Sequence, residues 1–155
     1  MKNPGLLLNA LSILNKSLDF FPIVVEECLN MILEKTLSII EVKKTEIGQT
    51  TQKFLTKLFN KVDPTKLSKE LLKISVGNNQ KVRVEALTQT INIWKENPIL
   101  GSNIQNVTIK VLQKLSQDVG VEDKVREIIH LGIRKFGLDF LAKVQEHERL
   151  SVFLE

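Results

Sequence analysis

The residue types that most often catalyse reactions or bind metals are few and widely separated in this sequence. There is one cysteine, Cys28, and there are two histidines, His130 and His147. The histidines lie 17 positions apart and no cysteine pair accompanies them, so they lack the ligand spacing of a zinc site. Cys28 has no basic neighbour in sequence that would activate its thiol. Since phosphate-binding and dinucleotide-binding glycine patterns are also missing, we predict a protein that is not an enzyme and needs no cofactor.

Cationic residues, by contrast, recur in a pattern. The tripeptide Lys81-Val82-Arg83 returns as Lys124-Val125-Arg126, 43 residues later, each time after a short polar turn and at the start of an apolar-periodic run. A lysine in the first turn of a helix opposes the helix dipole by about 0.3–1 kcal/mol, so an acidic residue would suit either position better. The repetition therefore calls for an explanation.

Two interpretations of these cations are open. In the first, the arginines pair with carboxylates of the same or the next repeat, as charges at solenoid edges commonly do; Glu85, Asp123 and Glu127 are nearby. In the second, the lysines form a basic ridge along successive turns, which Lys43 and Lys44 of "EVKKTE" would extend. Such a ridge would attract an elongated acidic partner.

Length and composition are those of one globular domain. The chain has 155 residues, of which 43% are hydrophobic and 26% charged, and its net charge of +4 favours an acidic partner. A single thiol indicates a reducing compartment. We predict no membrane span, because no apolar run reaches about eighteen residues. The N-terminal apolar stretch is interpreted as an amphipathic helix, since Asn9, Ser12 and Asn15 interrupt it at helical spacing.

Apolar residues recur at helical spacing nearly from end to end, which predicts an all-α protein of eight helices. Prolines at positions 4, 22 and 64 suit the first turns of helices, and glycines at positions 120 and 137 suit their ends. The second helix is predicted to run without a break from Pro22 through Leu37. The last is predicted to run from about Leu138 toward Val152.

The helix starts are evenly spaced. Those at Pro22, Pro64 and Ser102 are separated by 42 and 38 residues, and the Lys-Val-Arg helices by 43. A period of about forty residues with two helices in each is typical of HEAT repeats. The expected fold is an α-solenoid of HEAT-type hairpins, about three and a half repeats and a final helix in a single domain, 1–155.

Two stretches carry a resemblance to a known family. "NNQKVRVEALTQTINIWKE" and "VEDKVREIIHLGIRKFGLDFLAKVQEHERL" resemble the later HEAT repeats of TOG domains of the CLASP and crescerin kind. The resemblance implies a module that binds tubulin or the microtubule through its intra-repeat turns and regulates microtubule dynamics. It also implies the cytoplasm and cytoskeleton, including the cilium, flagellum or spindle, as its location.

Carried over by position, the resemblance places a set of polar residues on the tubulin-facing edge. They are Lys43, Lys44, Asn79, Lys81, Arg83, Lys124 and Arg126. The chain departs from the family in having room for about three and a half repeats where TOG domains have about six. Trp94 lies at the far end of its helix, away from the turn where the family's tubulin-contacting tryptophan lies, and we predict that it packs in the core.

A HEAT scaffold for another protein and a nucleic-acid binder are the alternatives to a tubulin-binding module. A HEAT scaffold that grips another protein in its groove needs no special residue and is the main alternative. Nucleic acid is disfavoured, because 18 acidic residues dilute the 22 cations, there is no tyrosine, and the 7 phenylalanines lie mostly at core spacing.

Overall fold

All regular structure in the described part of the chain is helical. The structure is a computed structural model that describes residues 3–40 and 45–155. The prediction of an all-α protein is therefore confirmed. Contacts divide the chain into two compact units, Met1–Asp63 and Pro64–Glu155.

The described residues of the first unit form α1 (Pro4–Phe20), α2 (Pro22–Glu27), α3 (Leu29–Ile39) and α4 (Glu46–Lys61). The prolines occupy first turns as predicted, where a missing backbone N–H costs nothing. Asn3 caps α1, because its Oδ1 accepts a hydrogen bond from the Leu6 N–H at 3.1 Å. Helix α4 packs against α1 and α3, so their apolar faces are buried together. Fully buried leucines of this unit include Leu18, Leu33, Leu37, Leu55 and Leu58.

The predicted second helix is interrupted at Cys28. This residue has φ −100° and ψ 12°, and its N–H is shared between the carbonyls of Val24 and Val25, each at 3.2 Å. Such shared bonds tighten the end of a helix, and the chain then restarts as α3. The expectation of one unbroken helix from Pro22 to Leu37 was wrong.

The second unit contains α5 (Pro64–Ile74), α6 (Gln80–Glu96), α7 (Ile104–Leu115), α8 (Glu122–Phe136), α9 (Leu138–Gln145), α10 (Glu148–Ser151) and a 3-10 turn at Val152–Leu154. Helices α5 and α6 form one helical hairpin, and α7 and α8 form the next. Helix α5 also packs on α7, and α6 on α8, so the two hairpins bury their apolar faces against each other.

Three aromatic rings hold the centre of the second unit. Trp94 is fully buried, as predicted, and its Nε1 donates to the Ser68 hydroxyl at 3.0 Å. Its ring meets Phe136 edge to face at a centroid distance of 6.0 Å, and Phe136 lies 5.9 Å from Phe140. Phe140 packs on Gly132, which has no side chain to obstruct the ring. This cluster fixes α9 against α8.

The ends of α8 and α9 show one correct prediction and one error. Gly137 closes α8 as expected, with φ 69° and its N–H bonded to the Ile133 carbonyl at 2.8 Å. The last helix does not continue to Val152, because His147 adopts an extended conformation with φ −113° and ψ 108°. A new short helix then begins, and the Leu150 N–H bonds to the His147 carbonyl at 2.9 Å.

Candidate functional site

Asn79, the first of the described residues predicted at the turn edge, is a helix cap. Its Oδ1 accepts hydrogen bonds from the backbone N–H groups of Lys81 at 3.1 Å and Val82 at 3.3 Å. These are two of the N–H groups that a helix cannot satisfy internally. The amide oxygen of Asn79 is therefore committed to starting α6.

Arg83 is held in an internal network at the same turn. Its Nε donates to the Ser75 carbonyl at 3.0 Å, one terminal nitrogen donates to Gln80 at 3.3 Å, and the other pairs with the Asp118 carboxylate. The Arg83 side chain is 16% exposed, so the pair is partly shielded from water. Arg83 thus joins the α5–α6 turn to the α7–α8 turn.

An internal pair with a carboxylate of the same or the next repeat was one of the two open interpretations for Arg83. Its partner, Asp118, lies in the next hairpin, although it is none of the three carboxylates named as nearby. Glu85 accepts a hydrogen bond from Gln89 at 3.0 Å, and Glu127 pairs with Lys95 at 2.5 Å. Asp118 belongs to the "QDVGVED" turn, 35 positions beyond Arg83. Sequence offered no signal for it, since the pairing depends on how the two hairpins pack.

Arg126 contacts the end of the chain. Its guanidinium lies 5.6 Å from the centroid of the Phe153 ring, within the range of a cation–π contact, and donates to the Glu155 carbonyl at 3.1 Å. Phe153 is buried, so this contact anchors the 3-10 turn on α8. The two arginines of the repeated tripeptide therefore have different partners.

Lys81 and Lys124 lie in the first turns of α6 and α8. Lys81 is exposed and Lys124 is half-buried. The turns that precede them are neighbours: a Cβ added at Gly120 would lie 3.8 Å from the Gln80 side-chain nitrogen. With the Arg83–Asp118 pair, this brings both lysines to one edge of the second unit. Lys43 and Lys44 lie outside the described residues.

Among the residues that the structure describes, the pKa values of Asp19 and Lys135 are shifted. In the first unit, hydrogen bonds from Lys57 at 2.7 Å and then Lys61 at 3.1 Å lower the pKa of Asp19. In the second unit, burial lowers the pKa of Lys135, whose Nζ donates to the Asn97 carbonyl just after α6. Both groups stabilise packing between helices, and neither adjoins a cluster of catalytic side chains.

The residues first considered for chemistry lie apart. Cys28 is half-buried in the first unit, while the His130 ring nitrogen lies 3.4 Å from the Phe153 carbonyl and that of His147 lies 2.6 Å from the Gln113 side chain. Over residues 3–40 and 45–155, no group of three His, Cys, Asp or Glu side chains could hold a metal ion. In the same ranges, no helix combines the length and hydropathy that crossing a membrane requires.

Comparisons with family models, with curated proteins and with solved structures found no match for this chain. The fold class and the positions of these side chains are thus the basis for a functional proposal.

Proposed function

We propose that this chain is a HEAT-type repeat module of the TOG kind that docks on an acidic surface of tubulin through its intra-repeat turns. The observation that carries the proposal is the edge where Lys81 and Lys124 lie together. The Arg83–Asp118 pair bridges the two turns and holds them side by side. The module would bind and position its partner, with no chemical step and no cofactor.

The packing of the second unit supports the repeat assignment. First helices of successive hairpins pack together, as do second helices, which is the arrangement that stacked HEAT repeats use. A hydrogen bond between the starts of the two first helices, α5 and α7, agrees with this arrangement. Gly101, just before α7, donates its N–H to Thr65 in the first turn of α5 at 2.9 Å. Equivalent helices therefore begin near one another.

The strength of such docking follows from the two lysine charges, one exposed and one half-buried. A single exposed ion pair contributes about 0–1 kcal/mol, so Lys81 and Lys124 alone would support weak, salt-sensitive binding. Because steering by opposite charges acts mainly on the association rate, we expect fast exchange with the partner.

The test is comigration with unpolymerised αβ-tubulin on a sizing column at low and moderate salt. The double variant Lys81→Glu and Lys124→Glu should abolish the shift that the unsubstituted protein shows. The matched control is Lys114→Glu with Lys69→Glu, one exposed and one half-buried lysine on α7 and α5. It changes the charge equally and should leave comigration intact.

Two results would count against the proposal. If the unsubstituted protein does not comigrate with tubulin, the edge has no such partner under these conditions. If the control weakens binding as much as the edge variant does, the attraction depends on overall charge. A steep salt dependence with duplex DNA or RNA, insensitive to which lysine is changed, would instead indicate a nucleic-acid binder.

A scaffold for a different protein is the second candidate, and one observation in the first unit favours it. Five consecutive apolar residues, Phe20 to Val24, are all exposed, and Phe20 and Ile23 are 73% and 72% exposed. Exposed apolar runs of this kind often mark protein contacts. This candidate predicts that Phe20→Ser with Phe21→Ser disrupts partner binding, whereas Lys81→Glu with Lys124→Glu does not.

A further inference from the structure

A groove between α7 and α9 lies in the second unit, on helices other than those that carry Lys81 and Lys124. Its volume is about 350 Å³. Helix α7 contributes Ile109, Lys110 and Gln113. Gln113 lies four positions from Ile109 and three from Lys110, so it is a neighbour of each on the helix surface. Lys143 of α9 and the two residues after that helix, Glu146 and His147, form the opposite wall.

Two hydrogen bonds cross the groove and hold its donors in place. At one end, the Lys143 Nζ donates to the Gln105 Oε1 at 3.2 Å. At the other end, the Gln113 Nε2 lies 2.6 Å from the His147 Nδ1, within hydrogen-bond distance. Lys143 keeps two further N–H donors, so both ends offer donors whose side chains are already ordered.

The groove is donor-rich and carries a net positive charge. Lys110 and Lys143 contribute two positive charges, and Glu146 contributes one negative charge. Ile109, which is 6% exposed, supplies an apolar floor. A groove of this composition suits a ligand with carboxylates along an extended, partly aliphatic backbone.

The length of the groove indicates how many carboxylates fit. The α7 residues that line the groove run from Asn106 to Gln113, which are seven positions apart, or about 10 Å along a helix. A single carboxylate cannot reach both ends. An extended peptide advances about 3.3 Å per residue, so about three residues cover this distance.

We propose that the α7–α9 groove binds an extended acidic peptide segment with carboxylates near Lys143 and near His147. The peptide lies along α7 with its aliphatic carbons over Ile109, and Lys110 contacts it from the rim. This site is independent of the turn edge: the proposal stands whether or not tubulin binds there.

Fluorescence anisotropy with a labelled hexaglutamate peptide tests the site on the full chain. We expect saturable binding that weakens between 50 and 300 mM salt, with no binding of a hexaglutamine peptide. Lys110→Gln combined with Lys143→Gln should weaken binding about tenfold. The control Lys114→Gln, on α7 outside the groove, should change it less than about twofold. Glu146→Gln should strengthen binding, because it removes the acidic group from the wall.

Several outcomes would overturn the proposal. The first is that Lys114→Gln weakens binding as much as the groove variant does. The second is that Glu146→Gln weakens binding. The third is that the Lys81→Glu and Lys124→Glu variant loses binding, which would locate the peptide at the turn edge. Displacement of the peptide by equimolar free glutarate would also overturn it, since one small dicarboxylate would then suffice. Circular dichroism confirms that each variant is folded, and Lys110→Gln alone tests the groove if Lys143→Gln unfolds.

Discussion

Gly132 is where a single methyl group should test the packing of α8 on α9. A Cβ added there would lie 2.3 Å from the Cε1 of Phe140, and 2.6 and 2.7 Å from two further atoms of the same ring. Phe140 is fully buried and its ring abuts Phe136, which in turn packs on Trp94. The ring is therefore enclosed by the core, and a shift of it would disturb its packing with Phe136.

Two opposing terms set the effect of Gly132→Ala. Alanine is favoured over glycine in a helix by about 0.8–1 kcal/mol. Forcing an extra carbon into a packed core costs about 1–3 kcal/mol, and contacts this short belong to the upper part of that range. We expect a net loss of about 1–2 kcal/mol in the free energy of unfolding.

Urea denaturation measures this change, followed by circular dichroism and by the fluorescence of Trp94, the chain's one tryptophan. In a Phe140→Leu background the same substitution should be neutral or stabilising by up to about 1 kcal/mol, because the ring is gone and the propensity gain remains. The control Ala142→Gly, at an exposed position in α9, should cost about 1 kcal/mol. The reasoning is refuted if Gly132→Ala stabilises the protein, and by the same amount in the unsubstituted protein and in the Phe140→Leu background.

Substitutions at Asn79, Trp94 and Lys57 test a helix cap, a buried hydrogen bond and a surface ion pair. Asn79→Ala removes the cap of α6 and should cost about 1 kcal/mol of unfolding free energy in urea. Trp94→Phe removes the indole N–H that donates to the buried Ser68 hydroxyl, so we expect a loss of about 1–3 kcal/mol in urea denaturation followed by circular dichroism alone. Lys57 lowers the pKa of Asp19 in the folded protein. The ion pair therefore contributes to stability at pH values above the pKa of Asp19 in the unfolded chain, and this contribution is lost as the pH falls through the pKa in the folded protein. Lys57→Met should raise the pKa of the Asp19 carboxyl in an NMR titration. An unchanged titration curve would contradict that last result.

Local sequence was sufficient for the fold class and for several helix boundaries. The prolines at positions 4, 22 and 64 and the glycine at 137 lie at the predicted helix ends, because each acts through its own backbone geometry. Trp94 was correctly predicted in the core, since a large apolar ring at helical spacing is nearly always buried. The breaks at Cys28 and His147 were missed, since no proline or glycine marks either residue.

The partners of the charged side chains were decided by tertiary structure. Lys-Val-Arg occurs twice in the same local setting, yet Arg83 pairs with Asp118 and Arg126 lies over Phe153. Helix formation depends on bonds between residues about four apart, so sequence can predict it. An ion pair between turns 35 residues apart exists because two hairpins pack together, and that packing depends on the shapes of both buried faces.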